Sequence, residues 1–228
     1  MYRNTILALG GATLALAAAP AALAAAGTQV TVRVEGKART LLAAKSVRTH
    51  NGSITRGGAP AGKCPATSAA GALDVATNRR WSGPWSTDFN EFEIKTILGE
   101  TESTSKFYWG IWIDNRYATT GACEIKLHRS DQLLFAVDSD GHDEHPLAIA
   151  APSRVVAGKP FSVKVVWFAD NGKSKPLAGA RVSGAGPGVA TNSRGVAKVV
   201  ATRSGTLKLG AAAKGYIRAA QTRVRVTG

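Results

Sequence analysis

The sequence predicts a mostly β protein in two parts, a small α+β sheet domain with one helix followed by an all-β sandwich. Three observations carry this expectation. Period-two alternation begins soon after residue 26, a single later stretch has helical spacing, and the last third of the chain holds short strands at regular intervals.

Residues 2–26 stand outside that fold. Arg3 precedes an apolar run from Ile6 to Leu23 made of Ala, Leu and Gly, and the small residues at 22–26 offer two A-x-A sites. The segment reads as a signal peptide cleaved near Ala25 or Gly27. The alternative is a transmembrane anchor, against which stand the Gly10-Gly11 pair and Pro20. No later apolar stretch reaches the roughly 18 residues of a span, so the mature chain is expected to lack a transmembrane segment and to be secreted or held at the cell surface.

In the first part, residues 29–35 and 40–47 alternate apolar and polar side chains around the turn-prone Gly36-Lys37, the pattern of a hairpin with one buried face. Residues 50–62 read as a loop. Residues 68–77 place Ala69, Ala72, Leu73 and Ala76 on one helical stripe, with Thr67 or Ser68 as N-cap. An aromatic cluster of Trp81, Trp85, Phe89 and Phe92 follows, then strand patterns at 92–98, 107–113, 123–127 and 132–137. Two strands, a helix and further strands suggest a sheet with the helix packed on one face.

A polar run, residues 138–145, closes this part. The expected boundaries are a signal peptide over 1–26, a first domain over 27–140, a linker over 141–146 and a sandwich over 147–228. In the sandwich the strand patterns fall at 147–149, 161–167, 180–183, 196–200, 206–209 and 222–226, divided by turn clusters at 170–173, 184–188 and 192–195.

Formal charge is +14 and unevenly spread: residues 27–140 hold 14 basic and 12 acidic residues, whereas residues 146–228 hold 14 basic residues and one acid, Asp170. Outside a cell such a polycation attracts anionic envelope polymers, acidic polysaccharides, anionic membranes or free nucleic acid. The alternative is that the excess only keeps the protein soluble. Lys164, Lys198, Lys208, Arg223 and Arg225 are spaced singly along strands and no nucleic-acid motif accompanies them, so no specific nucleic-acid partner is expected.

Cys64 and Cys123 both lie in the first part. In an oxidising compartment an even count reads first as a disulfide, and second as reactive thiols or a metal site. The polar cluster Asp138, Asp140, His142, Asp143, Glu144 and His145 offers carboxylates and imidazoles, so Asp138, Asp140, His142 and His145 are candidate metal ligands, with a solvated linker as the other reading. Only Asp138-x-Asp140-Gly141 matches a calcium loop. No nucleophile elbow, metalloprotease helix or phosphate loop is present, and Asp88, Glu91, Glu93, Glu100 and Glu102 read mostly as the solvent face of a strand. The expectation is that the protein is not an enzyme and takes no cofactor.

Within residues 107–113, Phe107, Trp109, Ile111 and Ile113 share one face and Tyr108, Gly110 and Trp112 the other. If Trp109 faces the core, then Tyr108 and Trp112, with Trp81, Trp85 and Tyr117, are candidates for stacking on a sugar or another planar ligand. The other reading is a second small core covered by the loop bearing Trp81 and Trp85.

Two resemblances add to this reading. The opening strand Val30-Thr-Val-Arg-Val-Glu-Gly36, the helical Ala70-Gly-Ala-Leu73, the segment Tyr108-Trp-Gly-Ile-Trp-Ile-Asp-Asn-Arg-Tyr-Ala118 with Gly121-Ala-Cys123, and Leu133-Leu-Phe135 resemble the transcobalamin-like C-terminal domain family, known in bacteria as a domain of unknown function. The resemblance covers about half the chain and implies a β-grasp-like fold. It departs from the family pattern at Asp114-Asn115 and Ser130-Asp131, both turns in which the family usually carries glycine. No helical companion domain accompanies it, so cobalamin binding is not carried over. Ala157-Gly-Lys-Pro-Phe-Ser-Val-Lys-Val165, Pro176-Leu-Ala-Gly-Ala-Arg-Val182, Thr191-Asn-Ser-Arg-Gly-Val-Ala197, Gly205-Thr-Leu and Lys214-Gly-Tyr216 resemble the immunoglobulin-like or carboxypeptidase-regulatory-like sandwiches of bacterial surface proteins.

The functional expectation is a secreted or cell-surface binding or adhesion accessory protein whose basic sandwich contacts an anionic cell-envelope polymer or another surface protein. A purely structural module of a surface assembly is the alternative. A carbohydrate-acting enzyme or a corrinoid binder is more remote.

Overall fold

The computed structural model describes residues 27–55, 62–103, 106–139, 142 and 144–228; the signal-peptide segment and Asp140 lie outside the described residues. The chain is mostly β with one helix, distributed over several sheets.

Strands β1 (Gln29–Glu35) and β2 (Thr40–Arg48) form the expected hairpin. Val30, Val32 and Val34 enter the core, and the alternation turns Arg33 and Glu35 to the opposite face. Helix α1 (Ala69–Ala76) buries Ala69, Ala70, Ala72, Leu73 and Ala76 against that core. Ser68 caps it, accepting from the Gly71 N–H at 3.3 Å. The Ala69 and Ala70 N–H groups donate to the Ile125 and Ala122 carbonyls at 3.2 and 3.0 Å, so the segment around Cys123 satisfies donors that a helix start leaves open.

That use explains a departure from expectation. Residues 123–127 do not form a strand but follow a turn, with one bridge between Ser68 and Lys126. Residues 92–98 are likewise broken into two short pieces, Glu91–Phe92 paired with Trp85–Ser86 and Thr96–Ile97 paired with Trp81–Ser82. Leu98 takes a φ of 51° and ends the second piece in a turn.

Strands β3 (Phe107–Ile113), β4 (Arg116–Tyr117) and β5 (Gln132–Ser139) complete a five-stranded sheet of order β4-β3-β5-β1-β2. Its first and last strands in chain order, β1 and β5, are parallel neighbours. Asp114 and Asn115 have φ of 49° and 64° and turn β3 into β4, and Ser130 has 75°, so these polar residues adopt the conformation that glycine would otherwise supply. A disulfide joins Cys64 to Cys123 with 5.1 Å between their Cα atoms.

The second half contains, in chain order, β6 (His145–Ala150), β7 (Arg154–Val156), β8 (Pro160–Phe168), β9 (Ser174–Pro176), β10 (Arg181–Ser183), β11 (Val196–Val200), β12 (Gly205–Ala212), β13 (Tyr216–Ile217) and β14 (Thr222–Thr227). One sheet has the order β9-β8-β6-β13, with β11 also on β8, and the other has the order β7-β14-β12-β10. Leu147, Phe161, Val163 and Val165 from the first meet Val182, Leu209, Val224 and Val226 from the second in one core. On β8 the intervening Ser162 and Lys164 are exposed, which is why this stretch alternates in sequence. Of the polar run, Asp138 and Ser139 belong to β5 and His145 to β6.

Candidate functional site

The outer face of the five-stranded sheet is the part of the molecule richest in chemistry. Register puts Trp112 opposite Leu134, Gly110 opposite Ala136 and Tyr108 opposite Asp138, and across the parallel pair it puts Arg33 beside Leu134 and Glu35 beside Ala136. This face packs against the second half. Trp112, Leu134 and Ala136 form a small core with Ile217, and Tyr117 packs on Trp112 with ring centroids 5.2 Å apart. Glycine at 110 makes room for the indole, since a Cβ there would lie 2.6 Å from the Trp112 ring.

Charged residues flank this apolar patch. On one side Glu35, 2% exposed, accepts from Arg33 Nη1 at 3.0 Å, Arg218 Nε at 3.0 Å and Thr40 Oγ1 at 2.9 Å. Arg33 also donates to the Arg218 carbonyl at 2.7 Å, and Arg218 donates to the Gly36 and Lys37 carbonyls, so the network crosses from one half to the other. Burial draws the Arg33 guanidinium below its ordinary pKa against the opposing pull of Glu35. A guanidinium starts high enough to stay charged.

On the other side lies a cluster of acids, histidines and aromatic rings. Asp138 is fully buried and its carboxylate contacts His142 Nδ1 and the Tyr108 hydroxyl, the latter at 3.1 Å. The far nitrogen of the same imidazole, Nε2, is 2.9 Å from Oδ1 of Asp170, in the β8–β9 turn. His145 Nδ1 reaches the same Asp170 oxygen at 3.4 Å, and the Tyr117 N–H donates to the Asp170 carbonyl at 3.0 Å. Tyr117 lies against the His142 ring at a centroid distance of 3.7 Å, and Trp167 stacks on His145 at 5.1 Å. Burial pushes the Asp138 carboxyl above the usual range, opposed by His142. Burial lowers His142, but its bonds to Asp138 and Asp170 outweigh that and leave it raised. Burial, together with the Tyr117 hydroxyl and the Asp138 charge, pushes the Tyr108 phenol up. Two buried ring nitrogens, Trp112 Nε1 and His145 Nδ1, make no hydrogen bond with the described residues.

The structure therefore separates the candidate residues. The five aromatic candidates do not share an exposed face. Trp112 is wholly buried, covered by the second half rather than by the Trp81–Trp85 loop. Trp81 and Trp85 pack edge-on against Phe92 at 5.5 and 4.9 Å, and Trp81 Nε1 donates to Asp74 at 2.8 Å. Tyr108 and Tyr117, their hydroxyls 3.2 Å apart, line a cleft of about 720 Å³ with Glu91, Lys95 and Glu102. Of the four metal candidates, Asp138 is turned toward Tyr108 and His142, while His142 and His145 converge on Asp170. Cys64 and Cys123 are consumed in the disulfide. Sequence reasoning missed Asp170, Arg218 and Glu35. The signal for Asp170 was its isolation among 14 cations; Glu35 read as the solvent face of a strand because nothing in the alternation told of a second half lying over it.

A separate surface carries the basic charge. On the outward face of the sheet β7-β14-β12-β10, Arg225 sits beside Arg154 across one pair and Arg223 sits opposite Lys208 across another, with Arg181 on the outer strand. All five are exposed. Arg223 and Arg225 line a cleft of about 730 Å³ with Ser153, Thr206 and Thr227. Like charges on directly opposed residues weaken a sheet. The one acid of this half is engaged at the seam, so nothing of opposite sign from the second half offsets the face.

No protein-family model matches the chain, and no curated protein is significantly similar to it.

Proposed function

We propose that the protein is an exported, non-enzymatic binding module that attaches to an anionic polymer of the cell envelope through the outward face of the sheet β7-β14-β12-β10. The carrying observation is one exposed face that bears two directly opposed like-charge pairs, Arg154 with Arg225 and Lys208 with Arg223, and Arg181 on its outer strand, a concentration of positive charge that an external anion would neutralise. The disulfide and the signal-peptide pattern of residues 2–26 support the extracytoplasmic part of this reading, as do the resemblances to the transcobalamin-like family and to the surface-protein sandwiches. Against an enzyme stands the absence of a catalytic motif in the sequence.

The test is association of the mature protein with polyphosphate or heparin over a salt series. Each anionic contact contributes about 0.7–0.9 to the salt slope for nucleic acids, and a similar response for four or five contacts would weaken binding roughly a hundredfold between about 50 and 200 mM salt. The triple variant Lys208→Glu, Arg223→Glu, Arg225→Glu, all exposed, is expected to fold and to lose most of that affinity. Binding that ignores both salt and this variant would sink the proposal.

A further inference from the structure

We propose that His142, His145 and Asp170 form a binding site for a zinc-class divalent transition-metal ion at the seam between the two halves. Three donor atoms from two parts of the chain converge there: His142 Nε2, His145 Nδ1 and Asp170 Oδ1 lie within 4.8 Å of one another. The separations of 2.9 and 3.4 Å from Asp170 Oδ1 to the two ring nitrogens bracket the ligand–ligand edge of roughly 3.3 Å that a tetrahedral ion with bonds of about 2.0–2.1 Å requires.

The surroundings are those of a supported site. Asp138, fully buried, holds His142 Nδ1, which leaves Nε2 directed at the ligand position; a carboxylate behind a histidine is the usual orienting partner of a metal-bound imidazole. Tyr117 and Trp167 fix the two rings by stacking. The His145 Nδ1 atom is buried and lies 3.4 Å from Asp170 Oδ1 without a hydrogen bond to the described residues, and a metal ion between the two supplies the bond that is missing. The chemistry of the donors selects the ion: two imidazoles and one carboxylate suit zinc, nickel, cobalt or copper, whereas calcium and magnesium take oxygen ligands. Asp170 is half exposed, which leaves the fourth position to water. Because His142 lies between β5 and β6, His145 opens β6 and Asp170 belongs to the β8–β9 turn, a bound ion ties that turn to the start of β6 and to the connection before it.

The experiment uses the full mature chain, stripped of metal by a chelator and dialysed. Zinc is titrated calorimetrically, and cobalt(II) is followed by its visible absorption, which intensifies in a four-coordinate site. The expected result is one ion per chain, a tetrahedral cobalt spectrum, a melting temperature raised by zinc and no response to calcium. His145→Ala and Asp170→Asn should each weaken zinc binding more than tenfold, and Asp138→Asn by about 10–100-fold. Asp170 is a turn residue with an exposed carboxylate, so D170N keeps the proposal testable if the buried variants fail to fold. His50→Ala and His128→Ala, both exposed and remote, should bind zinc as the wild type does. Absence of stoichiometric binding, binding unchanged in H145A and D170N, or an equal response to calcium would overturn the site and leave the cluster a hydrogen-bonded ion pair.

Discussion

Glu91 shows how one side chain can serve the fold and still oppose it. Its carboxylate accepts the Cys123 N–H at 2.8 and 3.0 Å, pinning the disulfide-bearing segment from outside. Burial nevertheless pushes its pKa above 4.5, because the lowering by the Cys123 and Phe92 N–H groups is the smaller effect. A carboxyl raised on folding holds its proton to higher pH in the native state than in the unfolded chain. Its contribution to stability is therefore greatest in acid and declines as pH rises from the unfolded value through the raised folded one. Glu91→Gln should remove that decline, so the stability of the wild type relative to E91Q should fall as the pH rises above the ordinary carboxylate range. Denaturant unfolding at several pH values measures this, and a difference constant across the range would contradict it. Residue-scale roles of this kind were only partly legible in the sequence. Ser68 as N-cap and Cys64 with Cys123 as a pair could be read because one position or one compartment decides them. Asp170 could not, since its partners are more than twenty residues away and no local rule connects them.

At the scale of elements the alternation of residues 29–35 and of β8 announced their strands and their buried faces. The helix was legible because Ala69, Ala72, Leu73 and Ala76 recur at helical spacing behind a capping serine. Alternation failed at residues 123–127, where Ile125 and Leu127 point inward as in a strand while the carbonyls of Ala122 and Ile125 are taken by the helix. Local pattern reports side-chain direction, and here the backbone had another partner. The helix start, this turn and the disulfide thus form one unit. The bridge links residues 59 apart in sequence, for which loop closure in the unfolded chain predicts about 4 kcal/mol of stabilisation. Replacing both Cys64 and Cys123 with alanine should lower the melting temperature by roughly 10 °C, at about 2–4 °C per kcal/mol for a chain of this size. Loss of protection at the Ala69 and Ala70 amides in hydrogen exchange should accompany it. A variant that melts with the wild type would show that the helix is held without the bridge.

For the whole molecule the decisive fact is that the second face of the five-stranded sheet is buried by the other half. The sequence offered two readings for Trp112, open to a ligand or covered by a nearby loop, and the structure uses a third cover, Ile217, more than a hundred positions away. Tertiary contacts between the halves leave no periodic trace. The network of Arg33, Glu35 and Arg218 seals the same seam, and removing the acid would strand two guanidinium groups in a space made for three charges. Glu35→Ala should cost about 3–5 kcal/mol, as does loss of one member of a buried ion pair elsewhere. The measurement is thermal unfolding followed by tryptophan emission, in which exposure of Trp112 should shift the spectrum to the red at lower temperature. An unshifted transition would mean that apolar contacts alone hold the halves together.

The central pairing of β1 with β5 also bears on the order in which the chain can fold. Thr31 hydrogen-bonds into the same ladder as Gln132, so the middle of the sheet closes only when the two ends of the first half meet. Loop closure over that distance precedes any reward from the strands, and topologies built on such distant pairings fold slowly. A chain emerging from its amino end presents the β1–β2 hairpin long before its central neighbour exists. Until residues 132–139 arrive, Val30, Val32 and Val34 have one strand beside them and an open edge on the other side.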